Sequence, residues 1–377
     1  MTAQALAAQL AQAVGLHQQG QLDQAEVLYK EILQVQPQHF DALQLLATTE
    51  AQKHNPAAAR VLFEQALKIN PQHLGVLNNY GNVLRALKRP EEALASYDLA
   101  LKIKSDYVEA LSNRGNALWE LQRPEEALAS YDLALQLNPD FAEAWRNRGN
   151  TLRDLKRPQD ALASYERALN IEPGHAEALG NRGNAFRDLG RASEALVSYD
   201  LALRIDPNSA EALSNRGAVL RDLKRPEQAL ESCERALGIR PDFAEALCNL
   251  GAALQDLSRP ALALEAYEKA LQIRPAYPEA WSNRGAALRA LRRPAEALEN
   301  FERAILLAPD YAEAHWNEAL CQLMLGDFAQ GWKNYEWRWK RKLNQDKLRN
   351  FSQPLWLGKE SLADKTILLH AEQGLGD

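Results

Sequence analysis

Asparagine recurs at intervals of 34 residues: Asn79, Asn113, Asn147, Asn181, Asn215, Asn249, Asn283 and Asn317. A second row, Asn82, Asn116, Asn150 and Asn184, lies three residues behind the first four, then gives way to Ala218, Ala252 and Ala286. A primary amide offers two N–H donors and a carbonyl acceptor. Amides at fixed spacing can therefore hold the backbone of an extended peptide, whatever its side chains. Asparagine is a mediocre helix former, so propensity gives no reason for it to recur on a plain solvated face. Two readings stay open. The amides clamp a peptide, or they hydrogen-bond the neighbouring repeat and set the pitch of the stack. Charged residues keep the same period. Glu109, Glu143, Glu177, Glu211, Glu245 and Glu279 form one row, and Asp154, Asp188, Asp222 and Asp256 another. Arg153, Arg187 and Arg221 stand beside three of these aspartates. The candidate peptide-binding set is the asparagines together with Asp154, Asp188, Asp222, Arg153, Arg187 and Arg221.

The elements that must position these side chains follow from the rest of the period. It runs from about Leu6 to beyond Pro309 without an insertion or deletion. With Ala142 as position 1, glycine marks position 8 (Gly81, Gly115, Gly149, Gly183, Gly217, Gly251, Gly285). Alanine marks position 20, from Ala93 to Ala297, and position 27, from Ala100 to Ala304. Apolar or small residues at positions 4, 8, 11 and 14 share one face of a first helix. Ala161, Leu162, Tyr165, Ala168 and Leu169 give a second helix its buried side. Small residues let the two backbones approach. The aromatic at position 24 (Tyr97, Tyr131, Tyr165, Tyr199, Tyr267, Phe301) fills the space beside them. Proline recurs at position 17, from Pro56 to Pro294. There it begins the second helix, where a missing N–H costs nothing. A further set from Pro37 to Pro309 marks the turn between repeats. At about 100° per residue, positions 2, 6, 9 and 13 point away from positions 4, 8 and 11. The asparagines are thus expected off the core. Position 7 carries Arg114, Arg148, Arg182, Arg216 and Arg284 at the edge of the core face. Their stems can cover the helix seam with the guanidinium in water, or they can bind acidic groups.

This pattern resembles the tetratricopeptide repeat, a family with the same 34-residue period. About nine full repeats begin near Leu6, Phe40, Leu74, Val108, Ala142, Ala176, Ala210, Ala244 and Pro278, and a degenerate tenth near Ala312. The resemblance implies an all-α solenoid of stacked helix pairs, a right-handed superhelix whose first helices line a concave groove. The asparagine rows resemble those of the O-linked N-acetylglucosamine transferases, whose repeats carry N-x-G-N at these positions. A partner in extended conformation is the corresponding expectation.

The period decays after Pro309. Gly331 stands at position 20 and Arg338 at position 27, where an arginine cannot enter a close-packed seam. Trp316, Trp332, Trp337, Trp339 and Trp356 gather here among basic residues. Such a mixture can stack on single-stranded nucleic acid, or it can close the end of the solenoid. Lys365 to Glu372 reads as a buried strand with a Gly-rich turn behind it. The run from Gly331 to Asp377 resembles the junction in bacterial tetratricopeptide-repeat proteins that carry a C-terminal glycosyltransferase domain of the heptosyltransferase-like family 9. That resemblance implies a nucleotide sugar as cofactor of a longer parent, with none in this chain. It also implies a catalytic base at Asp377. A helix cap is the alternative role for that carboxylate. The expected organisation is a solenoid over 1–311, a degenerate terminal repeat over 312–345, a linker over 346–364 and the first strand and turn of a Rossmann-like domain over 365–377. A free-standing scaffold is the alternative, and solenoid ends without caps can self-associate.

Bulk properties narrow the partners. The chain has 44 basic and 50 acidic residues, a net charge of −6. That argues against general affinity for nucleic acid or anionic membrane. No apolar run approaches a membrane span, and the N-terminus lacks the basic region of a signal peptide. Three cysteines without paired spacing and seven scattered histidines give no metal site. A reduced, cytoplasmic setting is expected.

Overall fold

The computed structural model describes residues 2–341 and 363. The chain divides into two compact units, Met1–Ile273 and Arg274–Asp377. The first contains sixteen α-helices: α1 (Ala3–Gln18), α2 (Leu22–Val35), α3 (Phe40–Gln52), α4 (Pro56–Ile69), α5 (Leu74–Ala86), α6 (Pro90–Ile103), α7 (Val108–Glu120), α8 (Pro124–Leu137), α9 (Ala142–Asp154), α10 (Pro158–Ile171), α11 (Ala176–Asp188), α12 (Ala192–Ile205), α13 (Ala210–Asp222), α14 (Pro226–Ile239), α15 (Ala244–Asp256) and α16 (Pro260–Ile273). The second contains α17 (Pro278–Ala290), α18 (Pro294–Leu307), α19 (Ala312–Met324), α20 (Phe328–Tyr335) and a 3₁₀ turn over Glu336–Lys340. No strand occurs among the described residues. The expected strand at Lys365 and the linker before it lie outside them, as does Asp377.

The helix starts fall where the period puts them. From α3 onward each first helix begins at the residue read as a repeat start, and α1 begins at Ala3, ahead of Leu6. Proline opens α4, α6, α8, α10, α14, α16 and α18. The first helices end by a different device. Their terminating residue at position 15 is left-handed: His54, Lys88, Gln122, Lys156, Lys224, Ser258 and Arg292 have φ between 58° and 62°. Only Gly20, Gly190 and Gly326 meet that requirement with glycine. The turn lets the next N–H reach back five residues. Arg89 donates to Leu84 O at 2.9 Å, and Arg157 to Leu152 O at 2.9 Å, so carbonyls left over at the helix end are satisfied.

The seam is as tight as the small residues imply. A methyl group built on Gly149 would lie 2.6 Å from Tyr165 Cε1, and one on Gly183 would lie 2.7 Å from Tyr199 Cε1. Ala161, Tyr165, Ala195 and Tyr199 are fully buried and belong to one continuous core running along repeats four to eight. Repeat seven has Cys233 in place of the aromatic, packed against Gly217 and pushed up to about 12 by burial.

In the second unit the tenth pair is cut short. Helix α20 stops at Tyr335, before Arg338 reaches the seam position. The Arg338 guanidinium instead lies over the Tyr335 and Trp339 rings, 4.9 and 4.6 Å from their centroids. Trp337 stacks on His315 at 3.9 Å, and Lys340 covers the Trp337 ring at 3.8 Å. Arg341 lies 3.8 Å from the Trp316 centroid and donates to Glu313 at 2.9 Å. These aromatic faces are occupied by the chain's own cations. The first half of the basic–aromatic tail therefore closes on the last helix pair.

Candidate functional site

The two rows of asparagines meet between neighbouring first helices. Asn116 Oδ1 accepts the Tyr131 hydroxyl of its own repeat at 2.6 Å and the Asn147 amide of the next at 2.9 Å. Asn150 takes Tyr165 at 2.7 Å and Asn181 at 3.1 Å; Asn184 takes Tyr199 at 2.7 Å and Asn215 at 3.2 Å. At the start of the row Asn82 accepts from Tyr97 at 2.6 Å, while Asn113 donates to Asn78 Oδ1 at 2.9 Å. Asn79 accepts from Asn78 at 3.4 Å. Asn249 donates to Ser214 Oγ at 3.0 Å. Asn79, Asn113, Asn147, Asn181, Asn215, Asn249, Asn283 and Asn317 are all half-buried, so they sit neither in the core nor on a plain solvent face. Burial pushes the Tyr165 phenol well above the usual range, which keeps the hydroxyl protonated as a donor.

This geometry explains where the second row ends. Asparagine occupies position 9 in the four repeats whose tyrosine hydroxyl needs it. Ala218 accompanies Cys233, and Ala286 accompanies Phe301, neither of which has a hydroxyl. Ala252 accompanies Tyr267, whose hydroxyl turns to Gln255 instead. The co-occurrence was present in the sequence and is the signal that could have revealed the bond.

The amides are only partly spent. Among the described residues the side-chain N–H groups of Asn82, Asn116, Asn150 and Asn184 have no partner, and neither do the carbonyls of Asn113, Asn147 and Asn181. Donors and acceptors thus alternate along the first helices of repeats three to six. A groove of about 440 Å³ begins there, lined by Asn82, Arg85, Glu109, Asn113, Phe141 and Glu143 among others. Glu109, Glu143 and Glu177 are exposed beside it, whereas Glu211 pairs with Arg240 at 2.8 Å.

The other candidate residues are engaged between repeats. Position 12 of one repeat donates to position 13 of the next. Arg85 pairs with Glu120 at 2.7 Å, Arg153 with Asp188 at 3.0 Å and Arg221 with Asp256 at 2.7 Å. Trp119 keeps the register by donating Nε1 to Asp154 at 2.7 Å. Burial is the largest single influence on Arg153 and opposes its charge, but the bond to Asp188, the charge of Asp188 and the Tyr165 oxygen together outweigh it and hold the pKa above the ordinary value. Arg187 breaks the series by reaching Asn215 Oδ1 at 3.2 Å, which leaves Asp222 exposed and without a partner among the described residues. Three of the position-7 arginines, Arg114, Arg148 and Arg216, bridge repeats too, whereas Arg182 reaches Ser198 of its own repeat at 3.1 Å. Arg148 reaches Asp132 and Ser164, each at 2.7 Å, and Arg216 reaches Asp200 at 2.7 Å. The guanidiniums of Arg114, Arg148 and Arg216 are held by carboxylates of the preceding repeat rather than standing free in water. No three metal-ligating side chains gather among the described residues.

Sequence models of the tetratricopeptide repeat match residues 16–73, 62–95, 112–176, 208–276 and 278–311, and a further model of the repeat matches 81–122 and 183–224. With twenty α-helices among the described residues, arranged in 34-residue pairs, the class is a helical-repeat protein, and the chain belongs to the tetratricopeptide-repeat family. Among solved structures, a tetratricopeptide repeat protein from Parabacteroides merdae aligns at 19% identity over 67% of this chain and 98% of its own, with a TM-score of 0.51. Pseudomonas aeruginosa PilF aligns at 22% identity over 55% of this chain and 94% of its own, with a TM-score of 0.50. YrrB, described as a TPR protein with an unusual peptide-binding site, aligns at 29% identity over 49% of this chain and 95% of its own, with a TM-score of 0.43. The comparison with curated proteins gives no significant match.

Proposed function

We propose that this chain is a protein-interaction scaffold that holds extended peptide segments along the first helices of repeats three to six. One observation carries the reading. After the internal bonds are made, unspent N–H groups on Asn82, Asn116, Asn150 and Asn184 alternate with unspent carbonyls on Asn113, Asn147 and Asn181. An extended backbone presents donors and acceptors in the same alternation. Recognition of this kind is tolerant of side-chain identity. Capped peptides of scrambled sequence should bind within a few-fold of one another in fluorescence anisotropy. The variant Asn147→Ala/Asn181→Ala/Asn215→Ala should lose that binding while keeping its helical circular dichroism. Binding that survives the three substitutions would sink the clamp.

The resemblance of the tail to glycosyltransferase-linked proteins favours a second, wider reading. Here the repeats are the recognition arm of a cytoplasmic enzyme that uses a nucleotide sugar, with Asp377 as its base. An immunoblot of the native source against the repeats tests it. A band larger than this chain by tens of kilodaltons supports the enzyme, and a band at the mass of this chain favours the scaffold alone.

A further inference from the structure

We propose that the second unit holds an acidic side chain of an extended, otherwise apolar partner segment, with Arg289 as its counter-charge. The inference begins from a broken series. In the first unit three of the four arginines at position 12 are neutralised by an acid at position 13 of the following repeat, in Arg85–Glu120, Arg153–Asp188 and Arg221–Asp256, and the fourth, Arg187, is held by Asn215. Arg289 on α17 stands at position 12 of its repeat, but position 13 of the next, on α19, is Met324. The arginine is kept and its acid is gone. Among the described residues Arg289 has no ion pair or hydrogen bond.

Its surroundings have changed in the same step. Arg289 lines a groove of about 540 Å³ with Ala286, Ala290, Leu320, Leu323 and Met324. Leu320 stands at position 9, where repeats three to six carry asparagine, and Leu323 stands at position 12. The surface that is amide and ion pair in the first unit is apolar here. Alanines at Ala286 and Ala290 make the floor shallow, while Met324 is 52% exposed at its wall. A half-buried guanidinium beside apolar walls is screened less by water, so it attracts a carboxylate more strongly than an exposed arginine does. The apolar walls reward aliphatic or aromatic neighbours of that carboxylate. Charge complementarity selects an acidic partner over a basic one. The groove is open rather than enclosed, so a chain can run through it and present its acid as a side chain. The proposal rests on the reading that partners lie along the first helices, but it uses none of the amide ladder.

The probe is a short, fluorescein-labelled, C-amidated peptide of alternating leucine and aspartate, with its leucine–asparagine counterpart as control. The aspartate peptide should bind the full chain roughly ten-fold tighter, the difference expected for one charge-assisted contact. Arg289→Gln should erase that preference. Met324→Asp should erase it as well, because the restored acid pairs with Arg289 and closes the site. Both variants should melt no earlier than the parent chain. Equal binding of the two peptides to the parent chain overturns the proposal, as does a preference that survives Arg289→Gln. A free C-terminal carboxylate that matches the aspartate peptide overturns it too. In the Asn147→Ala/Asn181→Ala/Asn215→Ala variant the aspartate preference should persist. Failure of the amide clamp and failure of the Arg289 site therefore give different patterns.

Discussion

A single oxygen, Asn150 Oδ1, joins two helices of one repeat and the first helix of the next. It accepts from the fully buried Tyr165 and from Asn181, at 2.7 and 3.1 Å. Its removal leaves two donors without an acceptor, and an orphaned buried donor costs about 1–3 kcal/mol. Asn150→Ala should therefore destabilise the chain by about that amount in urea unfolding. Tyr165→Phe should cost less, roughly 1 kcal/mol, because a hydroxyl leaves with its bond. The double variant should cost less than the sum of the two, by about 1 kcal/mol of coupling. Repeat nine already shows the combination, with Ala286 and Phe301. Strict additivity would mean the bond carries no energy. Spacing alone put the asparagines off the core and the tyrosines in the seam. It could not show how many of each amide's hydrogen bonds were spent, since that depends on the distance between neighbouring repeats, which no single helix encodes.

At the scale of the helix, starts and ends were unequally legible. Proline at position 17 announces the second helix, because only the first turn tolerates it. The end of the first helix carries no such flag. Lysine, glutamine, serine, histidine and arginine adopt a left-handed conformation that glycine would adopt without strain. They do so because two backbone bonds close over each such residue. Lys156 N donates to Arg153 O, and Arg157 N to Leu152 O, both at 2.9 Å. The strain of a left-handed lysine is about 1–2 kcal/mol, and glycine gives back about 0.5–1 kcal/mol in chain entropy. Lys156→Gly should thus stabilise the chain by roughly 0.5–1 kcal/mol, read from its denaturation midpoint. A lowered midpoint would mean that the Lys156 stem contributes packing that outweighs the strain. The short α20 was legible in a different way. Arg338 at a seam position forbade close packing, and the helix stops at Tyr335, three residues before it.

At the scale of the first unit, each contact between neighbours is written in a register of one repeat plus one residue or less. Arg85 reaches Glu120 and Arg153 reaches Asp188 by one offset, and Asn147, Asn181 and Asn215 reach Asn116, Asn150 and Asn184 by another. A contact of that kind does not depend on which repeat supplies it. Removing residues 142–175, one whole period, would bring Asn181 against Asn116, the Trp119 indole against Asp188 and Arg182 against Asp132. Every ladder would close again with the same chemistry. Stability in such a stack is close to a sum of repeat terms and neighbour terms, so the loss should be one of each. The shortened chain should keep the same helicity per residue at 222 nm and unfold cooperatively at a modestly lower denaturant concentration. Removing only residues 142–157 is the contrasting case. It deletes α9 and leaves α8 facing α10, two second helices whose buried faces have no glycine to receive Tyr165. That chain should lose its cooperative transition although fewer residues are missing. If both deletions behaved alike, the register between repeats would not be what holds the unit together.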